Sequence, residues 1–159
     1  RTQSKLFPEL DRYQQDAYRN LLSIAKTYGL AFLCDGVGLG KTFAGLMLIE
    51  RFVVHEGRRV VLFAPKAARE DVWEVKVAKY LDDLNSGFVN FKSFNHTDLQ
   101  RGGKIQKEIE LTLRDADVVI IDEAHMLTPA AFNALTISSA QLDVTSQSAR
   151  AFTAALVLA

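Results

Sequence analysis

Apolar and polar positions alternate with two different periods along this chain, and the alternation predicts its elements. Leu10 to Tyr28 carries apolar residues at Tyr13, Ala17, Leu21, Ile24 and Ala25, a helical spacing, and Gly29 follows at the position where a left-handed residue ends a helix. Short runs of β-branched and aromatic residues mark strands at Leu30–Asp35, Arg59–Ala64, Phe88–Phe94 and Val118–Asp122. Helices are expected at Lys41–His55, Arg69–Leu84 and Lys104–Arg114, with Asn85-Ser86-Gly87 as a turn and Gly102-Gly103 as a break. Phe88–Phe94 alternates apolar with polar residues, as a strand nearer the sheet edge would. Pro129 should open another helix, Leu142–Ala155 reads as helical, and Ala155–Ala159 reads as a fifth strand. Strands and helices in this rhythm predict a mainly parallel sheet with helices on both faces. The order of the strands is not visible.

Two breaks in the pattern carry chemistry. The first is Gly36-Val37-Gly38-Leu39-Gly40-Lys41-Thr42, a glycine-rich loop between the first strand and the second helix. Glycines let backbone N–H groups approach a phosphate, and the helix that follows presents its positive end. Lys41 would reach the outer phosphates and the Thr42 hydroxyl would join the shell of a Mg²⁺ ion. The general loop pattern has glycine where this chain has Asp35. The second break is Asp122-Glu123-Ala124-His125, directly after four β-branched residues that read as a strand buried on both faces. Open α/β sheets bind ligands at the carboxyl ends of their strands. There Asp122 would hold the Mg²⁺ and Glu123 would orient and deprotonate the attacking water. A capping acid is common after a strand, but an Asp-Glu pair about eighty positions beyond a Gly-Lys-Thr loop points to an ATPase-type site.

With both motifs in place, the chain resembles the first RecA-like lobe of a superfamily-two helicase, closest to the bacterial Swi/Snf-like DNA translocases. Four strings in order carry the resemblance over about positions 6 to 128. Leu10-Asp11-Arg12-Tyr13-Gln14 is similar to the family's opening motif, whose glutamine reads adenine, a role that would fall to Gln14. The loop beginning at Asp35 is similar to the family's form, in which that aspartate is normal. Phe63-Ala64-Pro65-Lys66, followed by Trp73, looks like an element whose loop touches the DNA backbone. Asp122-Glu123-Ala124-His125 is the DEAH form of the acidic motif, with His125 as its link to a coupling element.

The resemblance implies a P-loop NTPase lobe, here spanning 1–159, that binds ATP and Mg²⁺. It implies coupling of hydrolysis to movement on nucleic acid, with double-stranded DNA as the partner through the Lys66 loop. The expected nucleotide contacts are Gln14, Gly36, Gly38, Leu39, Gly40, Lys41, Thr42 and Asp122. Catalysis would rest on Glu123 and Lys41. The Thr-Ala-Thr-Pro-like element and the second lobe with its arginine finger are not in the sequence, so this chain alone should turn ATP over slowly or not at all. A ring-type ATPase and a non-catalytic nucleotide-binding or interaction module are the alternatives.

Bulk properties narrow the picture without changing it. The 159 residues suffice for one domain, and 19 basic against 19 acidic side chains leave no global field for nucleic acid. Any such contact must be local. The single cysteine, Cys34, forbids an internal disulfide and is expected to be a packed core thiol in a reducing cytoplasm. No apolar run is long enough to span a membrane. The first residue is not methionine, as expected of a piece of a longer protein. The three histidines and one cysteine show no zinc spacing. Asn95-His96-Thr97-Asp98 is a candidate second DNA-contact loop, and Arg101, Lys104, Lys107 and Arg114 with Glu108 and Glu110 read as a solvated helix face.

Overall fold

A computed structural model describes residues 4–34, 40–81, 90–131 and 133, together with the backbone of 154–158. Five strands form one sheet: β1 (Leu30–Leu33), β2 (Val60–Ala64), β3 (Phe91–Asn95), β4 (Val118–Asp122) and β5 (Ala154–Leu158). Their spatial order is β1-β5-β4-β2-β3 and every pairing is parallel. Parallel pairing throughout, with cover on both faces, requires the near-continuous apolar runs seen in β2 and β4, whose residues are all buried.

Alternate residues of β2 and β4 point to opposite faces, and the helices divide between those faces. On one face, α1 (Arg12–Tyr28) and α2 (Lys41–Ile49) pack on Ala31, Val60, Leu62, Val118 and Ile120. A π-helical turn, Glu50–His55, prolongs α2. The same face is covered by a helical run made of α3 (Lys66–Ala68), π-helical Arg69–Trp73 and α4 (Glu74–Tyr80). On the other face, α5 (Gly103–Asp115) sets Ile109 and Leu113 against Val61, Phe63, Phe94, Val119 and Ile121. The expected α/β RecA-like architecture is therefore present, and β3 lies at a sheet edge as its alternation predicts.

Several expectations need correction. The buried stripe of α1 is Gln14, Tyr18, Leu21 and Ala25, while Tyr13 and Ile24 are exposed. Asp11 and Gln14 explain the rotation: they form a reciprocal capping box that starts the helix at Arg12 and turns Gln14 inward. Cys34 is exposed, not packed in the core, because β1 is an edge strand with a burial pattern that alternates. The helical run after β2 starts at Lys66, earlier than Arg69, with Pro65 as its N-cap. At the far end Ala154 and Ala155 belong to β5, so the helix expected over 142–155 does not reach them. The turn expected at 85–87 and residues 142–153 of that expected helix lie outside the described residues.

Candidate functional site

The register puts the two motifs at one end of the sheet. Leu158 of β5 pairs with Leu33 of β1 on one side and with Asp122 of β4 on the other. The strand before the glycine loop and the strand bearing the acids are thus separated by one strand, and their carboxyl ends open in the same direction. Gly40, Lys41, Thr42, Phe43, Ala68, Val72, Lys76, Asp122 and Glu123 line a cleft of about 340 Å³ there. Gly36, Gly38 and Leu39 lie outside the described residues.

Gly40 begins α2 with φ 82°, a left-handed conformation that glycine adopts without strain. It has a second constraint. A Cβ at Gly40 would collide with the Gln14 side chain, so the helix N-terminus and the start of α1 touch at this point. The Gln14 carbonyl accepts the Asp11 N–H at 3.0 Å, and its amide nitrogen is the end that meets Gly40. Capping explains how Gln14 is held, a role that its motif string does not reveal.

Asp122 is buried at 7% exposure, and its Oδ2 accepts the Trp73 indole N–H at 2.7 Å. Burial pushes its carboxyl above the usual range; the Trp73 hydrogen bond and the nearby Lys41 ammonium work against that push, and Glu123 adds to it. Trp73 is itself almost fully buried, so the helical run after β2 is fixed to the acidic motif by this one bond. Sequence reasoning linked Trp73 to a DNA-contact element and missed this bond; only the fold brings positions 73 and 122 together.

Glu123 adopts φ 50° and ψ 46°, the one non-glycine residue with positive φ among those described. Such strain concentrates where a side chain must be aimed against local preference. Its Oε2 lies 3.3 Å from His125 Nδ1, and His125 is otherwise exposed. His96 is a neighbour that the motif analysis did not assign to this site. It is 7% exposed, its Nε2 has no hydrogen-bond partner among the described residues, and burial lowers its pKa against the opposing pull of the Asp122 and Phe63 carbonyls and the Asp122 and Glu123 carboxylates.

The other candidates separate clearly. Asn95, His96 and Asp98 are buried, and the Asp98 carboxylate accepts the Asn95 N–H at 2.9 Å. That segment is a capped turn with only Thr97 exposed, which argues against a DNA-contact loop. Lys66 is exposed at the start of α3. Arg101, Lys104, Lys107 and Arg114 are exposed, as expected of a solvated face.

The donors in the cleft fit Mg²⁺. Thr42 and Asp122 line the cleft and would supply hard oxygen atoms to such an ion. No group of three or more His, Cys, Asp or Glu that could hold a metal occurs among the described residues. Mg²⁺ suits such a sparse set, since it keeps waters and uses one or two side chains beside substrate phosphates.

Comparison with known proteins gives the class. The family model of the type III restriction enzyme, res subunit, matches residues 7–156, and the chain belongs to this family. It is a superfamily-two, helicase-like RecA lobe and a nucleotide-binding ATPase lobe by origin. No curated protein matches. Among solved structures it is similar to domain III of the Thermotoga maritima replication initiation protein DnaA, at 20% identity and a TM-score of 0.44. That match covers 96% of this chain and 54% of the other, so this chain spans about half the length of that relative. No described helix is long and apolar enough to cross a membrane.

Proposed function

We propose that this chain is the ATP-binding first lobe of a DNA translocase of the DEAH, Swi/Snf-like type. The observation that carries the reading is the convergence of Lys41, Thr42, Asp122 and Glu123 on one cleft at the carboxyl end of a parallel sheet. Two sequence motifs far apart in the chain meet there, and the chemistry of each requires the other.

In this reading Gly36, Gly38, Leu39 and Gly40 offer backbone N–H groups to the phosphates, and Lys41 neutralises charge on the outer ones. Thr42 and Asp122 hold the Mg²⁺, which when bound draws charge from the phosphate oxygens. Glu123 orients the attacking water and accepts its proton. Gln14 would bind the adenine edge, to which the donor and acceptor of a side-chain amide are suited. The capping box holds its side-chain oxygen on the Asp11 N–H and leaves its amide nitrogen beside Gly40. Lys66, exposed at the end of β2, would touch the DNA backbone.

In lobes of this type an arginine comes from a second lobe, a group worth roughly three to five orders of magnitude in phosphoryl transfer. ATP turnover by these residues alone should therefore be slow or undetectable, and duplex DNA should not raise it. Calorimetry with MgADP and MgGDP on the wild type and Gln14→Ala tests the assignment. The wild type should favour the adenine nucleotide and Gln14→Ala should lose most of that preference. A preference that survives the substitution removes Gln14 from the site, and DNA-stimulated turnover by this chain contradicts the need for a second lobe.

A further inference from the structure

Lys76 is the cleft's unassigned cation. It stands three residues beyond Trp73 and four beyond Val72, so all three share one helix face, and Val72 and Lys76 both line the cleft with Lys41, Thr42, Asp122 and Glu123. The Trp73–Asp122 hydrogen bond fixes that face to the acidic motif one helical turn from Lys76. The Lys76 ammonium lies over the Phe43 ring, 4.2 Å from its centroid, and Phe43 directly follows Thr42. The ring is held in turn by an edge contact with Tyr80 at 5.8 Å. No ion pair among the described residues involves Lys76, although Glu70 and Glu74 on the same helical run pair with Arg69. A cation resting on an aromatic face at the cleft wall keeps its charge available for an anion that enters.

We propose that Lys76 is a second phosphate-binding cation, contacting the outermost phosphate of a bound nucleoside triphosphate. A triphosphate remains an anion after one divalent ion binds it, and Lys41 is one charge. Asp122 and Glu123 bring like charge to the same cleft, so a further cation lining it lowers the cost of admitting the terminal phosphate. The proposal stands on the nucleotide reading above and adds to it a residue that discriminates triphosphate from diphosphate.

Binding of MgADP and of a non-hydrolysable Mg·ATP analogue is to be measured by calorimetry. The variants are Lys76→Ala, Lys76→Arg, Lys41→Ala and Lys79→Ala. Lys79 lies on the same helix over the Tyr80 ring and away from the cleft, so its loss controls for net charge. Lys76→Ala should weaken the triphosphate analogue about tenfold, as expected for one charge-assisted phosphate contact, and MgADP much less. Lys76→Arg should retain most of the affinity and Lys79→Ala all of it. Melts without ligand identify any variant that has lost its fold, and Lys76→Arg then decides by whether it keeps the triphosphate preference. Equal losses for both nucleotides, or an effect no larger than that of Lys79→Ala, overturns the assignment to Lys76 alone. Wild-type protein that binds neither nucleotide overturns the nucleotide reading, and Lys76 falls with it.

Discussion

The two ends of β4 each carry an aspartate, and the pair shows how one strand serves two purposes. Asp117 lies just before the strand and accepts the Arg59 N–H at 3.0 Å, with Asp115 and Arg59 forming an exposed pair at 3.9 Å nearby. These contacts tie the incoming chain to the start of β2, and water competes for each of them. Asp122, five residues on, is buried against a tryptophan, and burial pushes its carboxyl above the usual range. Surface tethers of the first sort are worth little. A buried carboxylate is costly to the fold, and such groups concentrate at ligand sites.

The sharpest way to break this contrast is at Trp73. Trp73→Ala empties a nearly fully buried site and removes the indole donor from the Asp122 carboxylate, and should cost about 3–5 kcal/mol in urea unfolding. Trp73→Phe keeps most of the volume and loses the donor, and should cost about 1–3 kcal/mol. If the two variants were equally stable, packing would not matter here and the hydrogen bond would carry the whole effect.

A smaller effect, of opposite sign, is expected at the acid itself. Because the folded-state pKa of Asp122 is raised, the folded protein binds its proton more readily than the unfolded chain. The contribution of this group to stability is greatest at low pH and is lost as pH rises through the folded pKa. Asp122→Asn keeps an acceptor for Trp73 and removes the charge, so it should stabilise the ligand-free protein at neutral pH by about 1 kcal/mol. Its stability should also lose the decline that the wild type shows above the unfolded Asp pKa. Asp117→Asn, at the other end of the strand, should stay within about 0.5 kcal/mol of wild type at either pH. Matching pH profiles for Asp122→Asn and wild type would contradict the buried, partly frustrated carboxylate.

How far the sequence could be read follows the same division. The start of α2 at Lys41 and the exit of β4 into the Asp-Glu pair were legible because each is a local string at the end of an apolar run. The parallel α/β class was legible because β2 and β4 are unbroken apolar runs. The order β1-β5-β4-β2-β3 was not, since no local pattern says which strand slips between β1 and β4. Tyr13 and Gln14 show a subtler limit. Both fall in one motif, and apolar spacing favoured Tyr13 for the interior, whereas the capping box with Asp11 buries Gln14 and exposes Tyr13. Cys34 was misjudged because exposure of β1 depends on its place at the sheet edge. The contacts of Trp73 and His96 with the acidic motif arise from tertiary packing alone.

The central claim is that Lys41 and Thr42 face Asp122 and Glu123 across a working phosphate site, and a thermal melt tests it most directly. The wild type with and without saturating MgADP should be compared with Lys41→Ala under the same conditions. A ligand that binds only the native state raises its stability, by about 2.7 kcal/mol at one hundred times the dissociation constant. The account predicts a cooperative transition that shifts upward with MgADP in the wild type and does not move in Lys41→Ala. A wild-type transition indifferent to MgADP, or an equal shift in both proteins, would contradict it.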